Sequence, residues 1–311
     1  MAALTRSTTE TAPAPAAAWP PAVVTVNWNL AEETVPCVAS LQEAGADPAR
    51  IYVVDNGSTD DSLATMRAAL DPRVRIIASA ANLGFAGGNN LGIQQALDDG
   101  AAWVLLINND TAVAPDFLAR LQHATVAHPD FALISPLILY HDEPDRIWSL
   151  GDYRIPGTLF TRHILRNRTV PADLPPFMPV DFLNACAILV RADVFARIGL
   201  LDDSFFMYAE DADFCWRAHL AGFRLGCATE ARMWHKVSRS TGVHHPEARR
   251  WRVTNINRFY RRYSHGPGKP AMFLVTFLRS ATIGVYDCVR GRCQLLGPTL
   301  RGWRDGWFGP R

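Results

Sequence analysis

The sequence predicts an α/β chain, Rossmann-like in its first half, with a mostly parallel central sheet and a C-terminal helical extension. Three observations predict it. From Ala22 onward, short β-rich runs alternate with helical ones, the rhythm of βα units. The strand candidates are apolar almost without a break, as strands covered on both faces should be. They also stop abruptly on polar residues, as VLLINNDT does at 104–111, and ligands in open α/β sheets bind just outside such carboxyl ends.

Taken in order, AVVTVNW is the first strand and a helix follows from about Ala31 to Glu43. RIYVVDN is the second strand, with a helix from about Asp60 to Leu70, and VRIIAS is the third. NLGFAGGNN leads into a helix that passes Gln94 and Leu97 and stops at Gly100. WVLLINND is the next strand, and PDFLARLQHATVAH a helix whose Pro115 suits a first turn. Beyond Pro136 the pattern loosens: Gly151, Gly157, Pro171, Pro175 and Pro176 mark a long loop or excursion over the sheet. VDFLNACAILVRADVFARIG restores a strand and a short helix. A further helix from about Asp211 to Ala221 ends at Gly222, the residue suited to a left-handed cap.

The chain has 311 residues, 49% of them hydrophobic and 20% charged, a composition that excludes a disordered chain. Its net charge of +1 conceals a split. From Arg249 to Arg311 there are thirteen Lys or Arg and two acids, against eighteen and twenty-eight upstream, so the front carries about −10 and the tail about +11. Six cysteines without a CxxC pair argue against a disulfide scaffold or a zinc site and for reduced thiols in a cytosolic protein. The start, MAALTRSTTETAPAPAAAWPP, lacks an apolar signal core and reads as a disordered tail over residues 1–20. The apolar stretch 271–289 is interrupted by Arg279 and Asp287, too broken for a membrane span.

Four stretches carry candidate chemistry. In VVDNGSTDD, Asp55 at a strand end can accept hydrogen bonds from a nucleobase or ribose, although the same residues make a good turn. NLGFAGGNN can bring backbone N–H groups close to a phosphate, but it is neither a Walker A motif nor GxGxxG. Asp110 of INNDT suits Mg²⁺ or Mn²⁺, which take oxygen ligands and bridge carboxylates to phosphates; a helix cap before Pro115 is the alternative. In MYAEDADFCWR, crowded carboxylates raise one another's pKa and one can be poised as a general base, while helix capping explains one such acid and three less well. His235 of MWHKVSRSTG is, by itself, more often structural than a ligand.

VTVNWN, VVDNGSTD, NLGFAGGNN, LLINND, FFMYAEDADFCWRAHLAGFRL and WHKVSRSTG, in this order over residues 23–242, closely resemble glycosyltransferase family 2, in particular its bacterial rhamnosyltransferase-like branch. The resemblance implies a GT-A fold over 21–245, a nucleotide-diphosphate sugar donor, a divalent metal (Mg²⁺ or Mn²⁺) and inversion at the anomeric carbon. It implies that Asn27, Asp55, Asn82, Gly87, Asn90 and Asn109 bind the donor nucleotide and that Asp110 and His235 hold the metal. Asp211 would be the base, with Glu210 beside it. Asn108 stands where many relatives have Asp, replacing a carboxylate by an amide. dTDP-L-rhamnose is the first guess for the donor; the variable segment 141–178 helps to shape the acceptor site.

The region 246–311 is basic and interleaved with aromatics, the mix expected of helices in a membrane interface. The acidic front makes nucleic acid the poorer partner. The expectation is a cytoplasmic protein, peripheral to the inner face of the cell membrane, using a glycan or polyprenyl-linked acceptor in cell-surface polysaccharide synthesis. Homo-oligomers are compatible with it, and a helical cap on the domain or a dimer contact is the other use of the tail. A sugar nucleotidyltransferase and a non-catalytic nucleotide-binding relative are the competing functions. The first would show a glycine-rich, Arg-containing loop where NWNLAEET stands, and the intact Glu210-Asp211 pair argues against the second.

Overall fold

A computed structural model of the chain describes residues 19–237 and 245–309. The tail expected over 1–20 falls, but for its last two residues, outside the described residues, as do the last five residues of WHKVSRSTG. The first half follows the sequence closely. Strands β1 (Ala22–Asn27), β2 (Ile51–Asp55), β3 (Arg75–Ala78) and β4 (Trp103–Ile107) lie parallel in the order β4-β1-β2-β3. Helices α1 (Ala31–Glu43), α2 (Ser62–Ala69) and α3 (Gly84–Asp98) connect them.

Alternate strand residues point to opposite faces, and both faces are covered. Val23, Val53 and Leu105 pack with Leu41 of α1 and Met66 of α2, while Val24 and Leu106 pack with Ile93 and Ala96 of α3. α3 approaches very closely because its inward residues are glycines. A Cβ on Gly92 would sit 2.4 Å from Cγ1 of Val24.

The second half is more mixed. β5 (Thr111–Val113) and α4 (Phe117–Ala127) lead to β6 (Phe131–Tyr140), a buried strand that runs straight through Pro136, where loosening was expected. The excursion that follows contains the short strands β7 (Ile147–Ser149), β8 (Asp152–Arg154), β9 (Thr161–His163) and β10 (Phe177–Val180), with β8 and β9 forming a separate hairpin. β11 (Ala187–Arg191) then inserts antiparallel to both β4 and β6, followed by α5 (Ala192–Ile198), α6 (Glu210–Leu220) and β12 (Arg224–His235). β6 therefore runs in the direction of β4, and β12 is parallel to β6. The ends of β1, β2, β4 and β12 consequently meet at one sheet edge.

Three helices close the chain: α7 (Pro246–Tyr263), α8 (Gly268–Val289) and α9 (Leu296–Phe308). Part of their positive charge is answered within the chain, since Arg262 of α7 bonds to Asp202 and Asp213, at 2.7 and 2.8 Å.

Replacing Gly92 by Ala tests the close packing of α3. Helix propensity favours Ala by about 1 kcal/mol, but overpacking against a buried, β-branched Val24 costs about 1–3 kcal/mol. Urea denaturation of Gly92→Ala should therefore show a net loss of stability; a more stable variant would mean that α3 and β1 are less tightly apposed.

Candidate active site

At the end of β1, Asn27 has no exposed surface. Its Nδ2 donates to Asp55 Oδ1 and to Ser58 Oγ, both at 3.1 Å, and its Oδ1 accepts from Thr34 Oγ1 at 2.8 Å. Thr34 in turn accepts from Asn109 Nδ2 at 2.9 Å. The expectation that Asn27 touches a nucleoside does not fit this geometry: its amide is fully engaged inside the protein, where it orients Asp55. Asp55 is itself held by Ser58 Oγ at 2.6 Å, while its Oδ2 has only a long contact of 3.4 Å with the Ser58 N–H. Acceptor capacity is left on that oxygen.

Asp110 and His235 come together although 125 residues separate them. β12 pairs with β5 so that His235 stands opposite Thr111, next to Asp110. His235 Nε2 lies 3.1 Å from Asp110 Oδ1, both side chains being buried. Nδ1 of His235 and Oδ1 of Asn108 are buried without a hydrogen-bond partner among the described residues. Orphaned buried polar atoms call for an explanation. A carboxylate oxygen and an imidazole nitrogen converging beside a neutral amide are a fitting donor set for Mn²⁺ or Mg²⁺. Among the described residues no group of three or more His, Cys, Asp and Glu converges, so the remaining ligands of such an ion would be water or phosphate oxygens.

The glycines of the NLGFAGGNN stretch and of the helical turn after it allow α3 to pack closely. Gly87, Gly88 and Gly92 are inside α3, where added Cβ atoms would meet Leu83, Val26 and Val24 respectively; Gly87 thus serves packing. Asn90 clasps the main chain of Leu201, donating at 2.8 Å and accepting at 3.1 Å, which engages its amide in the fold rather than in a donor contact. Asn82 accepts from Gly84 N at 2.8 Å and from Asn56 Nδ2 at 3.1 Å. Asn56, buried and not foreseen, also accepts from Leu83 N at 3.0 Å and so fixes the whole turn.

That turn abuts the candidate base. Phe85 N donates to Phe206 O at 2.6 Å, and a Cβ on Gly84 would lie 2.3 Å from the same oxygen. Phe206, Tyr208 and Ala209 all have positive φ, at 53°, 69° and 70°. Backbone of this kind in non-glycine residues is held only by surrounding structure and clusters at functional sites. Here the restraint comes from α7, whose buried Asn255 donates to Phe205 O and to Met207 O.

Directly after the strained turn come Glu210 and Asp211. Asp211 Oδ1 accepts from Ala212 N at 2.8 Å and Oδ2 from Ala185 N at 3.3 Å. Burial raises its pKa above the ordinary carboxylate range, with the charge of Asp152 adding to the rise and the main-chain donors opposing it. Glu210 is buried, its Oε2 has no partner among the described residues, and burial followed by the charge of Asp211 raises its pKa well above the ordinary range. The third acid plays a different part. Asp213, fully buried, bonds to Arg217, Arg262 and Tyr263 and clamps α6 to α7.

Asp211 faces a cleft of about 190 Å³ lined also by Trp148, Asp152, His163, Phe182 and Tyr260. The expected variable segment thus supplies one wall, with His163 Nδ1 2.7 Å from Asp152 Oδ1. Trp148 joins the two halves of the site. Its ring lies in the cleft and also packs edge-on to His235, centroids 4.6 Å apart. The main chain joins them too: Ala185 holds Asp211, and the neighbouring Cys186 O accepts from Asn108 N at 2.8 Å. Trp148, Asp152 and His163 carried no sequence signal because they lie in an irregular segment without a motif.

A family model described as glycosyl transferase family 2 matches residues 22–197. A hexosyltransferase of low-salt glycan biosynthesis from Haloferax volcanii is 29% identical over 206 residues, which cover 66% of this chain and 63% of that protein. The N-acetylglucosaminyl-diphospho-decaprenol L-rhamnosyltransferase of Mycobacterium tuberculosis is 30% identical over 242 residues, covering 71% of this chain and 77% of that protein. The fold is similar to that of a mannosyltransferase from Pyrobaculum calidifontis solved with GDP-Man and Mn²⁺, with a TM-score of 0.57, 13% identity and coverage of 94% and 89% of the two chains.

Glu210 offers a test of the buried carboxylate pair. A raised folded-state pKa means that the native state binds the proton more tightly than the unfolded chain, so Glu210 weakens the fold as pH rises above the ordinary glutamate value of about 4.3. Glu210→Gln removes that penalty. Its melting temperature should exceed that of the parent at pH 8 by about 2 °C or more and match it near pH 4; a lower melting temperature at pH 8 would mean that the ionised carboxylate is stabilised by its surroundings.

Proposed function

The chain belongs to glycosyl transferase family 2, and from that premise we propose that it is a metal-assisted, inverting glycosyltransferase working on the cytoplasmic side of the cell membrane. It moves a hexose, L-rhamnose from dTDP-rhamnose being the first candidate, to a hydroxyl of a glycan or polyprenyl-linked acceptor. The observation that carries the reading is the cleft edge on which a half-buried Asp211 and the Asp110–His235 pair meet through Trp148. The names of the relatives that act on a diphospho-decaprenol acceptor and in glycan biosynthesis support the substrate classes.

In this reading Asp55, fixed by Asn27 and Ser58, receives the nucleoside, and Asn82 and Asn109 shape the donor side of the edge. Asp110 and His235 would hold Mg²⁺ or Mn²⁺, which supplies Lewis-acid neutralisation of the diphosphate when bound. Asp211 takes the proton of the acceptor hydroxyl. The hydroxyl oxygen bonds to the anomeric carbon while the bond from that carbon to the diphosphate oxygen breaks, and the nucleoside diphosphate departs with the electron pair. One displacement inverts the centre. No carboxylic acid is needed on the leaving side, since a diphosphate leaves without being protonated. Glu210 lies beside Asp211, enclosed and with its Oε2 without a partner among the described residues, so the two carboxyl groups titrate as a pair.

Thermal stabilisation by UDP, dTDP and GDP, each with and without Mn²⁺, reads donor choice directly. dTDP with Mn²⁺ should give the largest shift, a ligand at about a hundred times its Kd adding about 2.7 kcal/mol. Asp110→Ala should abolish the metal-dependent part of that shift. Asp211→Asn should keep it and lose transfer by about 10²–10⁴-fold. Because the pKa of Asp211 is raised, the acid limb of kcat/KM should lie above the ordinary aspartate value of about 3.9, activity falling as pH drops through it. Normal turnover by Asp211→Asn would remove the assignment of the base.

A further inference from the structure

α8 is inside out. The residues it buries are Thr276, Ser280, Gly284 and Asp287, three of them polar, whereas its outward face carries Leu274, Leu278, Val285 and Val289, exposed by 55%, 54%, 61% and 79%. These apolar residues fall on one stripe, because spacings of four, seven and four keep to one side of a 3.6-residue helix. Val275 and Tyr286 widen it. An ordinary surface helix shows the reverse order, and a contiguous exposed apolar face marks a site of contact.

The inward face explains how the helix tolerates its polarity. Asp287 bonds to Arg249 of α7 at 2.7 Å and to Arg292 at 3.0 Å, and Thr276 Oγ1 accepts from the ring N–H groups of Trp303 and Trp307 of α9 at 3.2 and 3.0 Å. Gly284 lets α9 come close, since a Cβ there would lie 2.4 Å from Leu296. α8 is therefore fixed to α7 and α9 by these polar groups together with the rings of Phe273 and Phe277 on Trp303 of α9, and the Leu274–Val289 stripe is left outward.

We propose that this outward face lies in the plane of an anionic lipid surface. Charge selects that occupant. Lys269, Arg279 and Arg290 are exposed along α8 and just beyond it, and its one acid, Asp287, is buried. A second copy docked through the same face about a two-fold axis would bring Arg279, at the middle of the helix, against its own counterpart. Anionic headgroups complement the same residues. At 22 residues α8 is long and apolar enough to cross a bilayer, but a central arginine and a polar face fixed to α9 oppose spanning and favour lying in the interface.

The face also aims the cleft. Tyr260, which lines the cleft beside Asp211, belongs to α7, the helix against which α8 packs. A surface met by α8 thus stands next to the acceptor side, so that an acceptor on a lipid carrier would arrive without leaving the membrane. This consequence rests on the glycosyltransferase reading; the lipid contact does not.

Flotation of the full chain with vesicles tests it. The chain should float with phosphatidylglycerol-containing vesicles, less with phosphatidylcholine alone, and less again at high salt. Leu278→Glu with Val285→Glu should reduce flotation roughly tenfold or more, with an unchanged circular dichroism spectrum and unchanged transfer to a water-soluble acceptor. Asp211→Asn, silent in transfer, should float like the parent. The idea is overturned if the parent stays out of both vesicle types, if the double variant floats like the parent, or if the parent is a dimer that the double variant converts to a monomer. Loss of transfer by the parent with flotation intact would instead count against the proposed function alone.

Discussion

The site depends on one buried amide. Asn27 ends β1 with no solvent contact and ties Asp55 on β2 to Thr34 on α1, which passes the constraint to Asn109 after β4. Removing such a group leaves buried partners unsatisfied at about 1–3 kcal/mol each, so three chain segments are held in register by a side chain that faces no ligand. Parallel pairing brings the strand ends level, Asn27 standing opposite Asp55. The amide converts that proximity into a fixed orientation of the carboxylate.

The base is positioned by a different device. Its turn carries three positive-φ residues that no local preference supports, and each neighbour of the turn restrains it: Gly84 and Phe85 from the donor side, Asn255 from α7. A helix beyond residue 245 thus takes part in forming the candidate site. The positive tail was expected to meet something anionic, and it meets Asp202 and Asp213 of its own chain through α7 before anything outside. α7 is accordingly packed onto the domain, while α8 turns an apolar stripe outward.

What was legible in the sequence follows from how local each signal is. β1, β2 and β4 were readable because each is a short apolar run buried on both faces, and Asp55 and Asp110 stood out as carboxylates just past such runs, although a turn or a helix cap also suits them. β6 was hidden by Pro136, which reads as a break yet sits in a strand whose partner β12 carries an irregular register at that point, between Ala228 and Arg232. The antiparallel insertion of β11 is a non-local pairing that no periodicity records. Asn27 and Asn90 were read as ligand contacts because amides at strand ends and helix starts suit either role; only the partners in space assign them to the interior. The glycines of NLGFAGGNN likewise give close approach, Gly84 to Phe206 and Gly88 to Val26.

Two adjacent carboxylates would serve poorly as a base if they were equivalent, since each would raise the other and share one proton. Their surroundings are not equivalent. Asp211 has two main-chain N–H donors and opens to the cleft, whereas Glu210 is enclosed and has an oxygen with no partner among the described residues. Burial raises both, but only Asp211 is offered hydrogen bonds from neighbouring residues that favour its charged form. Asp211 is therefore the member of the pair that opens to the cleft with a main-chain donor on each carboxylate oxygen, and Glu210 the enclosed one. Beneath α6 the charge of Asp213 is matched by Arg217 and Arg262. The order Glu-Asp-x-Asp thus places an enclosed carboxyl, a cleft-facing carboxylate and an ion pair along a single helix turn, and the neighbours in space decide which residue takes which place.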